Sequence, residues 1–429
     1  MRVAIAALGT RGDVQPCVVL GRGLQAAGHD VLISTVRSFQ GLVEDASLRF
    51  HALPGTPNDV FALGRIDVSP LRPLHHLAVI HAAVDGLVRQ SSPELLNDAW
   101  ADRDCVVITG TTTFGLPVAT RIGATCVMLA MTPAVATGAF AHPVLAPRLS
   151  LSRRGNLVTW LAGERLARQT FKEPLKPAAR RAWGLPRSPL GTVRQNTAWP
   201  PVPILHAFSP EAVAPPPDWP SHVSVAGWLL PESSNEPLPD DVERFLAAGA
   251  PPLYVGFGSM PVPEPDAVAR SLLAALRRTG QRALVSGAAL AGARVLADTD
   301  LAFAVPEIPH ERLLHRVRGV IHHGGSGTTG AGLRAGRPTL TTPFVFDQFF
   351  WGERVRALGA GPAPIPFRRL SEDRLTHGIA ELASGRFDAA ARRLGELMSA
   401  EESAQRAVTA LEREHQRAQQ TATQSAGLP

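Results

Sequence analysis

"VIHHGGSGTTGAGL", residues 320–333, joins an apolar run to two adjacent histidines and five glycines. The apolar part has the length and β-branched content of a buried strand, and the residues after the glycines suit a helix, so the histidines stand on a strand-to-helix turn. In an open parallel sheet such turns lie at the carboxyl edge, where the next helix presents unpaired N–H groups and the positive end of its dipole. Glycines at 324, 325 and 327 let the backbone approach a ligand closely, and Ser326, Thr328 and Thr329 add hydroxyls. The combination suits a diphosphate. Because strand side chains alternate, His322 and His323 point to opposite faces. His323, nearer the turn, is the candidate whose N–H or positive charge meets a leaving phosphate oxygen.

Short apolar runs alternate with amphipathic stretches on both sides of this turn. Strands are expected at 252–258, 282–287, 301–305, 319–324 and 338–342, with helices at 264–279 and 326–335. A comparable set stands at the amino end: strands at 2–8, 30–35, 104–110 and 125–131, with a helix at 14–27. Two such sets predict an α/β protein of two facing Rossmann-like domains with a cleft between them. The expected division is an N-terminal domain over 1–208, a proline-rich linker over 209–237, a C-terminal domain over 238–395, and a terminal helix with a frayed tail over 396–429. The prolines of the linker stretch favour extended chain over a sheet element.

Composition narrows the function classes. Hydrophobic residues are 45% and charged residues 19%, an ordinary globular balance. The formal charge of +6 is carried by dispersed arginine pairs rather than one basic segment, so no nucleic-acid partner is expected and membrane association is at most peripheral. Cys17, Cys105 and Cys126 lie far apart without C-x-x-C spacing, which fits a reducing, cytoplasmic setting. The apolar run before Gly9 is too short for a signal peptide, and no apolar run approaches a membrane span.

Downstream, "PFVFDQFFWGERVRALGAGPAPIP" (343–366) follows the next strand, so Asp347 and Gln348 also fall at a carboxyl edge. A carboxylate beside an amide offers what sugar hydroxyls need, while Asp347 is equally placed to N-cap the next helix. "HHGGSGTTGAGLRAGRPTLTTPFVFDQFFWGERV" resembles the nucleotide-sugar signature of family 1 glycosyltransferases of the GT-B fold, in the bacterial branch with glycopeptide-antibiotic and sterol or lipid glycosyltransferases. The resemblance extends over "AGWLLPE" (226–232), "YVGFGSM" (254–260) and "GTRGDVQP" (9–16), and is scattered between 36 and 220. It implies that His323 with Gly325, Ser326, Gly327 and Thr328 holds the donor diphosphate, that Gly258 and Ser259 approach from the facing loop, and that Asp347 and Gln348 bind the donor sugar. It further places the nucleobase against "VPEIPHERLL" (305–314), through the backbone near Ile308.

The resemblance also assigns chemistry to "GTRGDVQP". Inverting glycosyl transfer needs a base for the acceptor hydroxyl, and Asp13 is the candidate, with Thr10 beside the phosphates. A carboxylate of ordinary pKa, about 3.9, is a weak base for an alcohol, so orientation must supply much of the effect. N-capping of the helix that contains Pro16 is the competing role for Asp13.

Three signals are set aside. Asp298-Thr299-Asp300 precedes a strand and falls at the amino edge. His75, His76 and His81 lack metal-ligand spacing. "LVTWLAGERLARQTF" (157–171), with Trp160, Leu161 and Leu166, reads as a helix over the acceptor cleft, with an interfacial membrane helix as the alternative. The expectation is therefore a transferase that uses a UDP- or TDP-sugar as co-substrate, without cofactor or metal, and a hydrophobic small-molecule acceptor. A silent nucleotide-sugar-binding helper and a GT-B-type epimerase are the alternatives.

Overall fold

The computed structural model describes residues 1–54, 98–112, 115–171, 202–232, 237–297, 299–305 and 308–426. Two parallel sheets organise them. The first has seven strands in the order β3-β2-β1-β4-β5-β6-β7: β1 (Arg2–Ala6), β2 (Asp30–Val36), β3 (Arg49–Leu53), β4 (Cys105–Ile108), β5 (Thr125–Ala130), β6 (Ile204–His206) and β7 (Val223–Val225). The second has five in the order β10-β9-β8-β11-β12: β8 (Leu253–Gly256), β9 (Ala283–Ser286), β10 (Ala302–Val305), β11 (Gly319–His322) and β12 (Thr339–Thr341). Every pairing is parallel. Strands such as Val3–Ala6 and Leu253–Gly256 are buried throughout, as apolar runs covered on both faces must be.

Each sheet reverses its strand order once near its centre. In the first, β1 lies between β2 and β4; in the second, β8 lies between β9 and β11. The loops leaving β1 and β4, and those leaving β8 and β11, therefore diverge and leave a crevice at each carboxyl edge. Topology alone thus brings residues 8–13 to one crevice, and residues 257–260 and 323–328 to the other.

Two expectations need correction. The first helix is Arg11–Ala26 rather than 14–27, because Thr10 and Asp13 form a capping box that starts it earlier. Val223–Val225, inside the stretch read as linker, pairs with β6 and closes the first sheet. An edge strand tolerates nearby prolines because one side of its backbone needs no ladder partner. The terminal helix Ser403–Ala426 returns to the first sheet: Ala407, Val408 and Leu411 share a core with Val14, Cys17 and Leu24, and His29 Nε2 meets Glu412 Oε1 at 2.9 Å.

The helix Arg153–Phe171 forms as expected. Trp160 is buried and donates to Phe140 O, whereas Leu157, Val158 and Leu161 are exposed. Among the described residues no helix is long and apolar enough to cross a membrane. Cys17, Cys105 and Cys126 are free thiols, the first two buried and Cys126 partly so.

Candidate active site

The C-terminal crevice is built around one imidazole. Gly258, after β8, takes a φ of +58°, and a Cβ there would stand 3.1 Å from His323 Cε1. On the other side a Cβ on Gly325 would fall 2.4 Å from His323 Nε2. His323 therefore fits because both neighbours lack side chains. Gly287, at the end of β9 with a φ of +98°, supports Gly258 from behind, since a Cβ on it would meet the Gly258 carbonyl at 3.3 Å. Burial, with help from nearby His310, lowers the His323 pKa to about 4, while the Gly256 backbone opposes in part. The ring is neutral at physiological pH, with a single N–H to donate and no positive charge. His322 points the other way: it is fully buried, and its Nδ1 accepts from Gly324 N at 3.0 Å, which shapes the turn.

The helix Ser326–Arg334 begins at Gly325 with no side-chain cap. A Cβ on Gly327 would meet nothing within 4 Å, so the first turn is open. The hydroxyls are used differently from expectation. Ser326 Oγ donates to Met131 O at 2.9 Å and accepts from Trp228 Nε1 at 3.0 Å, and Thr329 Oγ1 donates to Gly325 O. What this turn offers a ligand is chiefly its backbone N–H groups, with the Thr328 side chain partly exposed beside them.

Asp347 stands at the N-cap position of helix Gln348–Ala357, yet its side chain makes no capping bond. Its Oδ2 instead accepts from Thr132 Oγ1 at 2.8 Å and from Trp351 Nε1 at 3.2 Å. Gln348 is buried; its Oε1 accepts from Phe344 N at 2.8 Å and Val345 N at 3.2 Å, and its Nε2 reaches Met260 Sδ. That amide holds the 343–347 loop, including Phe346 at a left-handed φ of +53°. Its acceptor oxygen is already taken. Gly324 packs so closely on the same helix start that a Cβ would lie 2.7 Å from Gln348 O.

In the N-terminal crevice, Thr10 Oγ1 accepts from Gly12 N, while Asp13 Oδ2 accepts from Thr10 N at 2.8 Å and Thr10 Oγ1 at 3.1 Å. Asp13 is thus the third residue of the helix, not its cap. The folded-back carboxylate requires Gly9: at a φ of +138°, a Cβ there would stand 2.2 Å from Asp13 Oδ2. Thr111 and Thr112, beyond β4, donate to Leu8 O and Ala6 O and hold the crevice from its other side. Burial raises the Asp13 pKa to about 6; Thr10 opposes, and the charge of Asp347 adds to the rise. The ordinary carboxylate pKa expected from sequence is corrected accordingly.

The two crevices face each other across the chain segment after β5. Met131 and Thr132 leave the first sheet and bond Ser326 and Asp347 of the second half. The charge of Asp347 consequently reaches Asp13, as the smallest of the influences on its carboxyl. Ser259 is exposed on the loop with Gly258. Ile308 follows β10 with its side chain buried among Leu238, Val242 and Leu313, leaving its backbone to any ligand. Asp300 is exposed ahead of β10, at the amino edge, and Asp298, His75, His76, His81 and the Leu166 side chain lie outside the described residues. Sequence reading did not single out Thr132, Trp228, Trp351 or Gly287. The phrase "LVSG" at a strand end carried a usable signal for Gly287; an isolated threonine after β5 carried none.

Residues 3–107 match the glycosyltransferase family 28 N-terminal domain, and residues 296–413 match the erythromycin biosynthesis protein CIII-like C-terminal domain. The chain is 30% identical over 437 residues to O-mycaminosyltylonolide 6-deoxyallosyltransferase of Streptomyces fradiae, covering 96% of this chain and 97% of that one. The chain belongs to the GT-B glycosyltransferases of the antibiotic and sterol branch. A sterol 3-beta-glucosyltransferase of Arabidopsis thaliana is 29% identical to this glycosyltransferase over 422 residues, covering 96% of the chain and 68% of the plant enzyme. The fold also matches a glycosyltransferase from Streptomyces sp. SF2575 complexed with thymidine diphosphate, with a TM-score of 0.65 at 20% identity, over 96% of this chain and 99% of that one.

Proposed function

We propose that this glycosyltransferase moves a sugar from a UDP- or TDP-sugar to a hydroxyl of a hydrophobic acceptor, a natural-product aglycone or sterol-like alcohol, with inversion at the anomeric carbon. The observation that carries the reading is the meeting of two carboxylates, Asp13 from one crevice and Asp347 from the other, at electrostatic range beside an uncapped helix start. The relatives' substrates supply the acceptor class, a sterol in one and a mycaminosylated tylonolide in the other.

In this reading the diphosphate lies on the Ser326–Arg334 N-terminus. Its growing negative charge is met by backbone N–H groups and by a neutral His323 that donates one hydrogen bond. The reaction needs no metal or cofactor on this account. Asp347 accepts sugar hydroxyls. Asp13, its Oδ2 held by Thr10, presents Oδ1 to the acceptor alcohol. A pKa of about 6 leaves it ionised at neutral pH and makes it a stronger base than an exposed aspartate. The alcohol attacks the anomeric carbon as the bond to the nucleotide breaks; its proton passes to Asp13, and the nucleoside diphosphate departs.

The test is incubation with UDP-glucose and TDP-glucose over a panel of hydrophobic alcohols, with the product anomer assigned by NMR. Nucleotide release that depends on acceptor, with an inverted glycoside, is expected. Release without acceptor, an epimerised sugar, or tight binding without turnover would each overturn the proposal.

A further inference from the structure

We infer that Thr132, on the acceptor half of the molecule, is a positioning residue for the donor sugar: its hydroxyl fixes the carboxylate of Asp347 so that Oδ1 is the oxygen left to meet sugar hydroxyls. The inference rests on the reading that Asp347 binds the sugar.

The geometry is specific. Both bonds to Asp347 fall on one oxygen, Thr132 Oγ1 at 2.8 Å and Trp351 Nε1 at 3.2 Å. No capping bond to the backbone of its helix holds it, although it occupies the N-cap position; the indole comes from the first turn of that same helix. Trp351 is fully buried against Phe208 and Trp228, so its indole is a fixed anchor on the carboxylate's own helix. Thr132 supplies the second point.

Thr132 is itself held in register. The residue before it, Met131, accepts from Ser326 Oγ, which in turn is tied to Trp228. The loop after β5 therefore grips the donor half at two neighbouring places, one at the phosphate-facing helix start and one at the sugar-facing carboxylate. This same loop continues into residues 133–147, on the acceptor half. Orientation of the donor-binding carboxylate is thus set by the segment that carries the acceptor side, so donor affinity responds to changes in that segment.

The experiment measures, by calorimetry, the Kd of the native protein and of Thr132→Val, Thr132→Ser, Asp347→Asn and the Thr132→Val/Asp347→Asn double variant for UDP-glucose, TDP-glucose, UDP and TDP. Removing a hydrogen bond to a charged group predicts an increase of about tenfold in the sugar-nucleotide Kd for Thr132→Val, with the bare diphosphate Kd unchanged. Thr132→Ser, which keeps the hydroxyl, should stay within about twofold of native, and Thr132→Val should add nothing in the Asp347→Asn background. Equal weakening of both ligand types, no weakening at all, or failure of serine to rescue would overturn the inference while leaving Asp347 in place. If Asp347→Asn leaves the sugar-nucleotide Kd unchanged, or the native protein binds neither sugar nucleotide, the functional reading beneath it falls instead.

Discussion

The helices Arg11–Ala26 and Ser326–Arg334 both start at the point where a parallel sheet reverses its strand order, yet they treat their first N–H groups differently. In the first, Thr10 and Asp13 close a capping box, and local side chains already answer the helix start. In the second, Gly325 has no side chain to offer, Ser326 turns its hydroxyl to Met131, and the first turn stays open. A capped start has no unmet need for an anion and an uncapped one does. On the proposed function, the same fold element, repeated, offers a place for a base in one half and a place for a diphosphate in the other.

The sharpest way to break this division of labour is at Asp13. Asp13→Asn keeps an oxygen for Thr10 but cannot take a proton, so turnover should fall by about 10²- to 10⁴-fold while nucleotide affinity is unchanged, read by steady-state kinetics beside calorimetry. Unaltered turnover would remove the base from the N-terminal crevice. At the other crevice, His323→Ala should lower kcat by about 10²-fold, because a donor to the leaving oxygen is lost.

Gly327→Asp separates folding from binding. Its Cβ enters open space, and a negative charge in the first turn favours the helix by about 0.3 to 1 kcal/mol, so thermal stability should hold or rise slightly. The same charge would repel a diphosphate, and UDP or TDP affinity should drop by about tenfold or more. Retained affinity would show that the phosphates sit elsewhere.

The smallest expected effect is on stability. Asp13 titrates at about 6 in the folded chain, above its unfolded value of about 4, so the native state binds the proton more tightly. Native stability is therefore unaffected by this group below about pH 4, declines as pH rises towards 6, and stays lower above it. Asp13→Asn should be more stable than native at pH 7 by about 1 to 3 kcal/mol, with the difference vanishing at pH 4 in denaturant titrations. The same titration should make native kcat/KM fall as pH drops below about 6.

Much of the fold could be read from periodicity. All nine expected strands and the helices between them occur, because runs such as "VAIA" (3–6) and "ALV" (283–285) are apolar and buried on consecutive residues, as in a strand covered on both faces. Val223–Val225 escaped that reading: three residues among prolines carry no period, and only the edge of β6 makes them a strand. At the site, the residue types of Asp13, His323 and Asp347 were visible because turns after strands are where a parallel sheet gathers ligands. Their final states were not. Nothing local to "TRGD" says that burial will lift its aspartate to about 6, and nothing local to "FDQF" says that Gln348 will turn inward to hold its own loop.

The sequence by itself determined two α/β halves, the strand ends that bear chemistry, and the glycines that follow His323 in its own turn, since each depends on the chain over a few neighbouring residues. Tertiary structure alone decided which hydroxyls remain for a ligand, how strongly Asp13 holds a proton, and that Thr132 reaches Asp347. These follow from distance and dielectric between segments remote in the chain, quantities that a local pattern does not encode.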